Sequence, residues 1–279
     1  MCRAKSQGGR RCTSAAARTK EAARAGRNDE AQAKQSAAEI RPLLPVQQDG
    51  RDSWQRYGLR AGREREELAQ SDADELVPES QQWARDLDRD ERSWVRAYTR
   101  HGERINRHLI QGKSLDEPIE GSRVPAREGL ALLDSALAKA ESQQPHLTYR
   151  GYAPPVEVRK ADDVVGWARR TFRVGEPYNS PSYMSVSHCP GIASNFADTK
   201  WSTEDGEEGE ASHQVMFEVL SRKGAALLAY SAFENHERER LIPRNTSFQV
   251  VGVQEDARVR GRRTVLVQLV DTDEVTHRG

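Results

Sequence analysis

Residues 141–152, ESQQPHLTYRGY, contain the point at which the chain changes its period. Before Pro145 apolar residues recur every three or four positions, and after it short runs alternate between two faces. Upstream, DRDERSWVRAYTRHGERINRHL (88–109) puts Trp94, Tyr98, Ile105 and Leu109 on one side of a helix, with acids in the first turn, where the helix dipole favours them. A second helix is predicted in AREGLALLDSALAKAES, with Leu130, Leu133 and Leu137 on one side. Downstream, HLTYRGY reads as a strand, ADDVVGWARRTF as a short helix, SYMSVS as a strand, GIASNFA as a short helix and STEDGEEGEAS as an acidic surface loop. Strands are then expected in HQVMFEVL, ALLAY, LIPRNTSFQVVGVQ and RTVLVQLV. Helices first and strands after, joined by short turns, predict an α+β fold and exclude the alternation of a doubly wound parallel sheet.

The chain of 279 residues has a mean hydropathy of −0.85, polar enough that part of it is expected to stay outside any core. From Cys2 to Glu39 there is no Ile, Leu, Val, Phe, Trp or Tyr. Such a segment cannot offset a chain entropy of roughly 1–2 kcal/mol per residue. We therefore expect a flexible, Ala-rich basic arm over 1–45, a helical linker or peripheral helices over 46–84, and a folded domain over 85–275. Basic and acidic residues balance overall, so no global field steers the protein to nucleic acid or membrane. The arm differs: its first 27 residues hold eight Lys or Arg against Glu21, which allows contact with nucleic acid. Three cysteines without framework spacing argue against a disulfide-stapled secreted domain. No apolar run has the length of a membrane span or of a secretory signal. The expected setting is the cytoplasm, or delivery into a target cell without a secretory signal peptide.

Three stretches could carry chemistry: Arg150 in YRGY, Ser185 and Ser187 in YMSVS, and Glu237 and Glu239 in FENHERERLIPRNTSF (233–248). Singly, each is more often an ordinary strand surface. In this order, with GIASNF after the serines, they resemble the Arg/Ser-Thr-Ser/Glu-x-Glu class of mono-ADP-ribosyltransferases, which includes many bacterial toxins and their phage relatives. The resemblance spans about residues 85–272. It takes in the opening helix WVRAYTRHGERINRHL, the leucine-rich helix running into the arginine strand, and GAALLAYSAFENHERERLIPRNTSFQVV.

The resemblance implies two packed antiparallel β-sheets with flanking N-terminal helices and NAD in the cleft between them. It also implies transfer of ADP-ribose from NAD to a protein, with nicotinamide released. Cleaving the nicotinamide–ribose bond develops an oxocarbenium-like charge, which a fixed carboxylate stabilises more in the transition state than in the ground state. By resemblance that carboxylate is Glu239, and Ser185 holds it and the ribose in register. Arg150, with Gly151 behind it, offers a fork of donors to the diphosphate. Phe196 stacks on nicotinamide, while Tyr98 and Asn106 contact the adenosine or ribose side. Glu237 goes with an arginine acceptor, whose guanidinium, with a pKa above about 12, needs a carboxylate to orient it and take its proton. Phe233, in the turn before them, contacts the protein target, or else packs as a partly buried ring.

This chain departs from the family pattern at Val186, where threonine is usual, at Arg240, where an aliphatic residue is usual, and at Gly102, where an aromatic is expected. Val186 is expected to face away from the serines. Arg240 is expected either to lower the pKa of Glu239 or to point to solvent. His188 and Cys189, without partners at ligand or triad spacing, are expected to shape a loop, and no metal site is expected. Alternatives to protein-arginine modification are NAD glycohydrolysis, a nucleic-acid acceptor, and a nucleic-acid-binding protein with an inactive transferase-like domain.

Overall fold

The computed structural model describes residues 76–140, 142, 144–203, 205–230 and 238–273. The basic arm, most of the expected linker, Phe233 and Glu237 lie outside the described residues. Helix α1 (76–86) is followed by α2 (Arg89–Ile110) and α3 (Ala126–Ala138). Two residues separate α1 from α2, and Asp88 restarts the helix: its carboxylate accepts from the N–H groups of Asp90 and Glu91, while Glu91 accepts from the Asp88 N–H. This reciprocal cap satisfies donors that a helix start otherwise leaves orphaned.

The periodic apolar residues of these helices make one core. Trp83, Val95, Tyr98, Ile105, Leu130, Leu133 and Leu137 are buried together with Tyr183, Leu227 and Leu241 from the strand region. Leu76 and Trp83 of α1 are 2% and 4% exposed, so residues expected in a linker are core residues. At about 25 cal/mol per Å², side chains of this size each contribute roughly 1.5–3 kcal/mol when buried.

The strand region comprises β1 (His146–Tyr152), β2 (Pro177–Asn179), β3 (Met184–Ser187), β4 (Lys200–Ser202), β5 (Glu208–Glu210), β6 (Gln214–Ser221), β7 (Ala225–Ala226), β8 (Glu239–Ile242), β9 (Ser247–Val259) and β10 (Arg262–Asp271). Short helices α4 (Val156–Lys160), α5 (Val164–Thr171) and α6 (Pro190–Ala193) lie among them. Eight strands form one sheet in the order β2-β9-β10-β6-β1-β3-β8-β7, and β4 pairs with β5 apart from it. All neighbours in the large sheet are antiparallel except β6 and β10, which run parallel.

Although continuous, this sheet has a seam. β1 pairs with β6 over seven residues but with β3 only at Tyr149↔Ser187. The seam separates β6, β10, β9 and β2 from β3, β8 and β7, recovering in one sheet the two-sheet division expected from the resemblance. Helices cover both sides of it, since α5 packs Val164, Ala168 and the following Phe172 against Phe217, Phe248 and Val267.

Several local expectations are corrected. The acidic loop contains β5, which pairs with β4 just before it, and neither three-residue strand shows apolar alternation. ALLAY (226–230) contributes only Ala226 to the two-residue strand β7 before a 3₁₀ turn at Leu227–Ala229. The stretch read through Pro243 is split into β8 and β9 by a turn in which Asn245 has φ +60°. Proline cannot donate to a ladder, and asparagine tolerates the left-handed region. Among the described residues no helix is long and apolar enough to cross a membrane.

Candidate active site

At the seam the two strands part, and the sequence-predicted residues meet there. Arg150 lies one residue beyond the single β1–β3 pair, and its Nη1 donates to the Ser185 carbonyl at 3.2 Å. The guanidinium thus bridges strands that no longer share a ladder, and the space beside it is a cavity of about 600 Å³. Arg150, Gly151, Ser185, Phe196, Tyr98, Asn106 and Glu239, every described residue expected in the site, line that cavity. Its volume falls within the range of small-molecule clefts.

Glu239 opens β8 opposite Ser187, and the residue before it, Arg238, takes φ +46°. A left-handed turn at a residue other than glycine costs about 1–2 kcal/mol and here precedes the carboxylate that faces the cavity. Arg240 turns the other way. It is 1% exposed, its Nη1 bonds Glu79 of α1 at 3.0 Å, and its Nε donates to the Lys223 carbonyl at 3.3 Å. The expectation that it points to solvent fails: Arg240 is a buried strut against α1 and the β6–β7 turn. Burial lowers its pKa, and the Glu79 carboxylate opposes that shift.

Tyr98 organises the helical wall. Asn106 Nδ2 donates to the Tyr98 hydroxyl at 3.0 Å, and that hydroxyl lies 3.0 Å from Ser185 Oγ. Burial raises the phenol pKa; its bond to Ser185 opposes this, the Glu239 carboxylate adds to it, and Arg150 pulls it back. The phenol therefore keeps its proton. With one of its lone pairs engaged by Asn106, that proton can go to Ser185, freeing the serine hydroxyl to donate onward. Asn106 Oδ1, by contrast, is buried without a hydrogen-bond partner.

Two glycines let this geometry exist. A Cβ on Gly102 would stand 3.1 Å from the Tyr98 ring, which lies across the helix to reach Asn106 one turn further on. The aromatic expected at 102 would compete for that space. His101, with φ −135° and ψ 21°, breaks the helical geometry just before it. On Gly151 a Cβ would stand 2.3 Å from the Ala197 nitrogen and 2.4 Å from the Phe196 carbonyl carbon. Its bareness lets the 3₁₀ turn carrying Phe196 lie flat on β1, and Phe196 remains 59% exposed at the rim.

Val186 faces the core, as expected, at 3% exposure. Ser187 Oγ accepts the Cys189 N–H at 3.1 Å and shapes the turn after β3. His188 is fully buried and packs edge to face on His146, with centroids 5.4 Å apart. Burial first, then the charge of Arg240, holds His146 at about 3, and burial holds His188 well below the usual histidine range. Both are neutral, so His146 and Glu79, 3.7 Å apart, do not form an ion pair. Sequence reasoning missed Glu79 and the structural part of Gly102. The helical spacing of Tyr98, Gly102 and Asn106, four residues apart along one face, was the available signal for Gly102.

Residues 78–274 match the family model for the ADP-ribosyltransferase exoenzyme. Among solved structures, Plx2a, an ADP-ribosyltransferase toxin from Paenibacillus larvae, aligns with a TM-score of 0.53 at 17% identity, covering 74% of this chain and 96% of that one. Vis toxin, an ADP-ribosyltransferase from Vibrio splendidus, aligns at 0.50 and 18% identity, covering 77% and 89%. BECa, an ADP-ribosylating toxin of a binary enterotoxin of C. perfringens, solved with NADH, aligns at 0.53 and 16%, covering 73% of this chain and 47% of that one. At these identities the likeness is one of fold. No curated protein matches the chain. With the family model spanning well over half of its residues, the chain belongs to the ADP-ribosyltransferase exoenzyme family.

Proposed function

We propose that this protein transfers ADP-ribose from NAD to an arginine of a protein target and releases nicotinamide. Membership of an ADP-ribosyltransferase family makes NAD the cosubstrate. The observation that carries the fuller reading is the convergence of Glu239, Arg150, Ser185 and the Tyr98–Asn106 pair on one cavity. The residues fit the dinucleotide. Arg150 keeps donors for a diphosphate beyond the one given to Ser185, and the orphan Asn106 Oδ1 accepts from a hydroxyl or amine of the nucleoside. Phe196 offers an exposed ring for a flat heterocycle.

In this reading Glu239 stabilises the positive charge that grows on the ribose as the bond to nicotinamide breaks. Ser185, held by Tyr98, donates to that carboxylate or to the ribose and fixes its direction. A guanidinium nitrogen of the acceptor forms the new bond to the ribose carbon, nicotinamide leaves with the bonding pair, and the proton lost from the guanidinium passes to Glu237. The toxin character of the structural neighbours supports action on a protein of another cell.

The test separates the two acids. With agmatine or an arginine protein as acceptor, Glu237→Gln should lose ADP-ribosyl transfer by about a hundredfold while keeping most nicotinamide release into water. Equal loss of both, or label found in nucleic acid, would overturn the arginine acceptor.

A further inference from the structure

A strongly charged feature that reaches beyond the cavity is a row of arginines on α2. Arg89, Arg92, Arg96, Arg100 and Arg104 recur every three or four residues, on the face opposite buried Glu91, Tyr98 and Ile105. Arg92 is half-buried and the other four are exposed. The row extends about 22 Å at 1.5 Å per residue. At its middle, the Arg96 guanidinium carbon lies 5.4 Å from the Tyr230 ring, and the next member, Arg100, lines the cavity.

Elsewhere on the surface, several exposed arginines are matched to acids, while Arg85, Arg123, Arg258, Arg260, Arg262 and Arg263 stand outside any ion pair among the described residues. Arg107 pairs with Glu103, Arg127 with Asp116, Arg169 with Glu255, Arg170 with Asp163 and Arg173 with Glu176. Among the described residues no ion pair involves a member of the row. The nearby acids are engaged differently: Asp88 and Glu91 cap the helix, and Glu91 also bonds Lys139 and Ser135.

We propose that this row is a docking surface for an acidic segment of the protein target, delivering the acceptor arginine to the cavity. The inference rests on the protein-arginine reading. Neighbouring arginines of the row are about 5–6 Å apart along the helix. Alternate residues of an extended peptide repeat at about 6.8 Å, so carboxylates at every second position can follow the row. Each guanidinium presents a planar fork to a carboxylate. A nucleic-acid strand fits less well, because Asp86, Asp88 and Asp90 stand at the start of the row and repel phosphates.

The test uses two fluorescent peptides, each with one arginine, flanked either by alternating glutamates or by glutamines in their place. With full-length protein at low salt, the KM for ADP-ribosylation of the acidic peptide should be about tenfold lower than that of the neutral one. Arg89→Gln/Arg96→Gln/Arg104→Gln should remove the difference while leaving nicotinamide release without peptide unchanged, and raised salt should also shrink it. Equal KM values, or a difference that survives in the triple variant, would overturn the proposal. If NAD is cleaved but neither peptide is modified, the arginine reading fails, and anisotropy then decides the surface: tighter, salt-sensitive binding of the acidic peptide by the unmodified chain alone supports it, and equal binding overturns it. A labelled single-stranded oligonucleotide that binds more tightly than the acidic peptide would also overturn it, in favour of nucleic acid.

Discussion

On one side of the seam β6 and β10 share seven residue pairs, and Val215, Phe217, Val219, Val265, Val267 and Leu269 are completely buried. On the other, β3 and β8 share four pairs and carry Ser185, Ser187, Glu239 and the buried Arg240. Beyond β8 the sheet ends in β7, whose two residues reach only as far as Arg240, leaving Glu239 one ladder neighbour, on β3. The first half is held by apolar packing, which is strong and indifferent to direction. The second also buries Met184, Val186, Leu241 and Ile242, and adds hydrogen bonds and an ion pair, which contribute less net stability but fix orientation. A site that must aim a carboxylate to within a fraction of an ångström belongs in the second kind of neighbourhood.

Substitutions on either side should therefore separate stability from activity. The largest effect is expected from Phe217→Ala, which empties the centre of an aromatic cluster with Tyr152, Phe172 and Tyr178. It should lower unfolding free energy by about 4 kcal/mol in urea titration while leaving nicotinamide release per folded molecule nearly unchanged. A parallel loss of specific activity would break the division. Glu239→Gln should do the reverse, cutting nicotinamide release by about 10²–10³ with a change in stability of no more than about 1 kcal/mol.

The smallest effect concerns the buried histidines. The folded pKa values of His146 and His188 are depressed, so their contribution to stability is present above the unfolded value of about 6.5 and is lost as pH falls below it. Unfolded chains then bind protons that the folded state refuses, at about 1.4 kcal/mol per pH unit for each histidine. Between pH 7 and 5 the His146 share is about 2 kcal/mol, and urea midpoints of the chain and of His146→Gln/His188→Gln should converge as the pH drops. Parallel curves would show that these rings titrate normally.

Much of the apolar framework was legible in the sequence because its signals are local. HLTYRGY is β1 residue for residue, and the Leu130, Leu133 and Leu137 spacing gave α3 its buried face. Other features depend on partners distant in sequence. Arg240 is explained by Glu79, 161 residues away, and by the Lys223 carbonyl, 17 residues away, so no short window around Arg240 could show which way it points. The hairpin β4–β5 escaped because three-residue strands of this kind carry no periodicity, and Trp83 falls in the segment expected to be a helical linker or peripheral helices because one aromatic among polar residues resembles a surface helix. In the site, the Arg, Ser and Glu motifs were readable as an ordered set. The Tyr98–Asn106–Ser185 relay needed the kink at His101 and the bare Gly102 to be seen in three dimensions.

The back-to-back arrangement of Glu239 and Arg240 has a consequence for folding fidelity. Sliding β8 by a single residue along β3 would exchange the faces of all its side chains, placing a second guanidinium in the cavity that Arg150 already lines and leaving a carboxylate opposite Glu79 in the interior. Both errors carry the wrong sign of charge, so the mispaired strand is rejected by electrostatics as well as by shape. The polar half of this protein thus proofreads its own alignment.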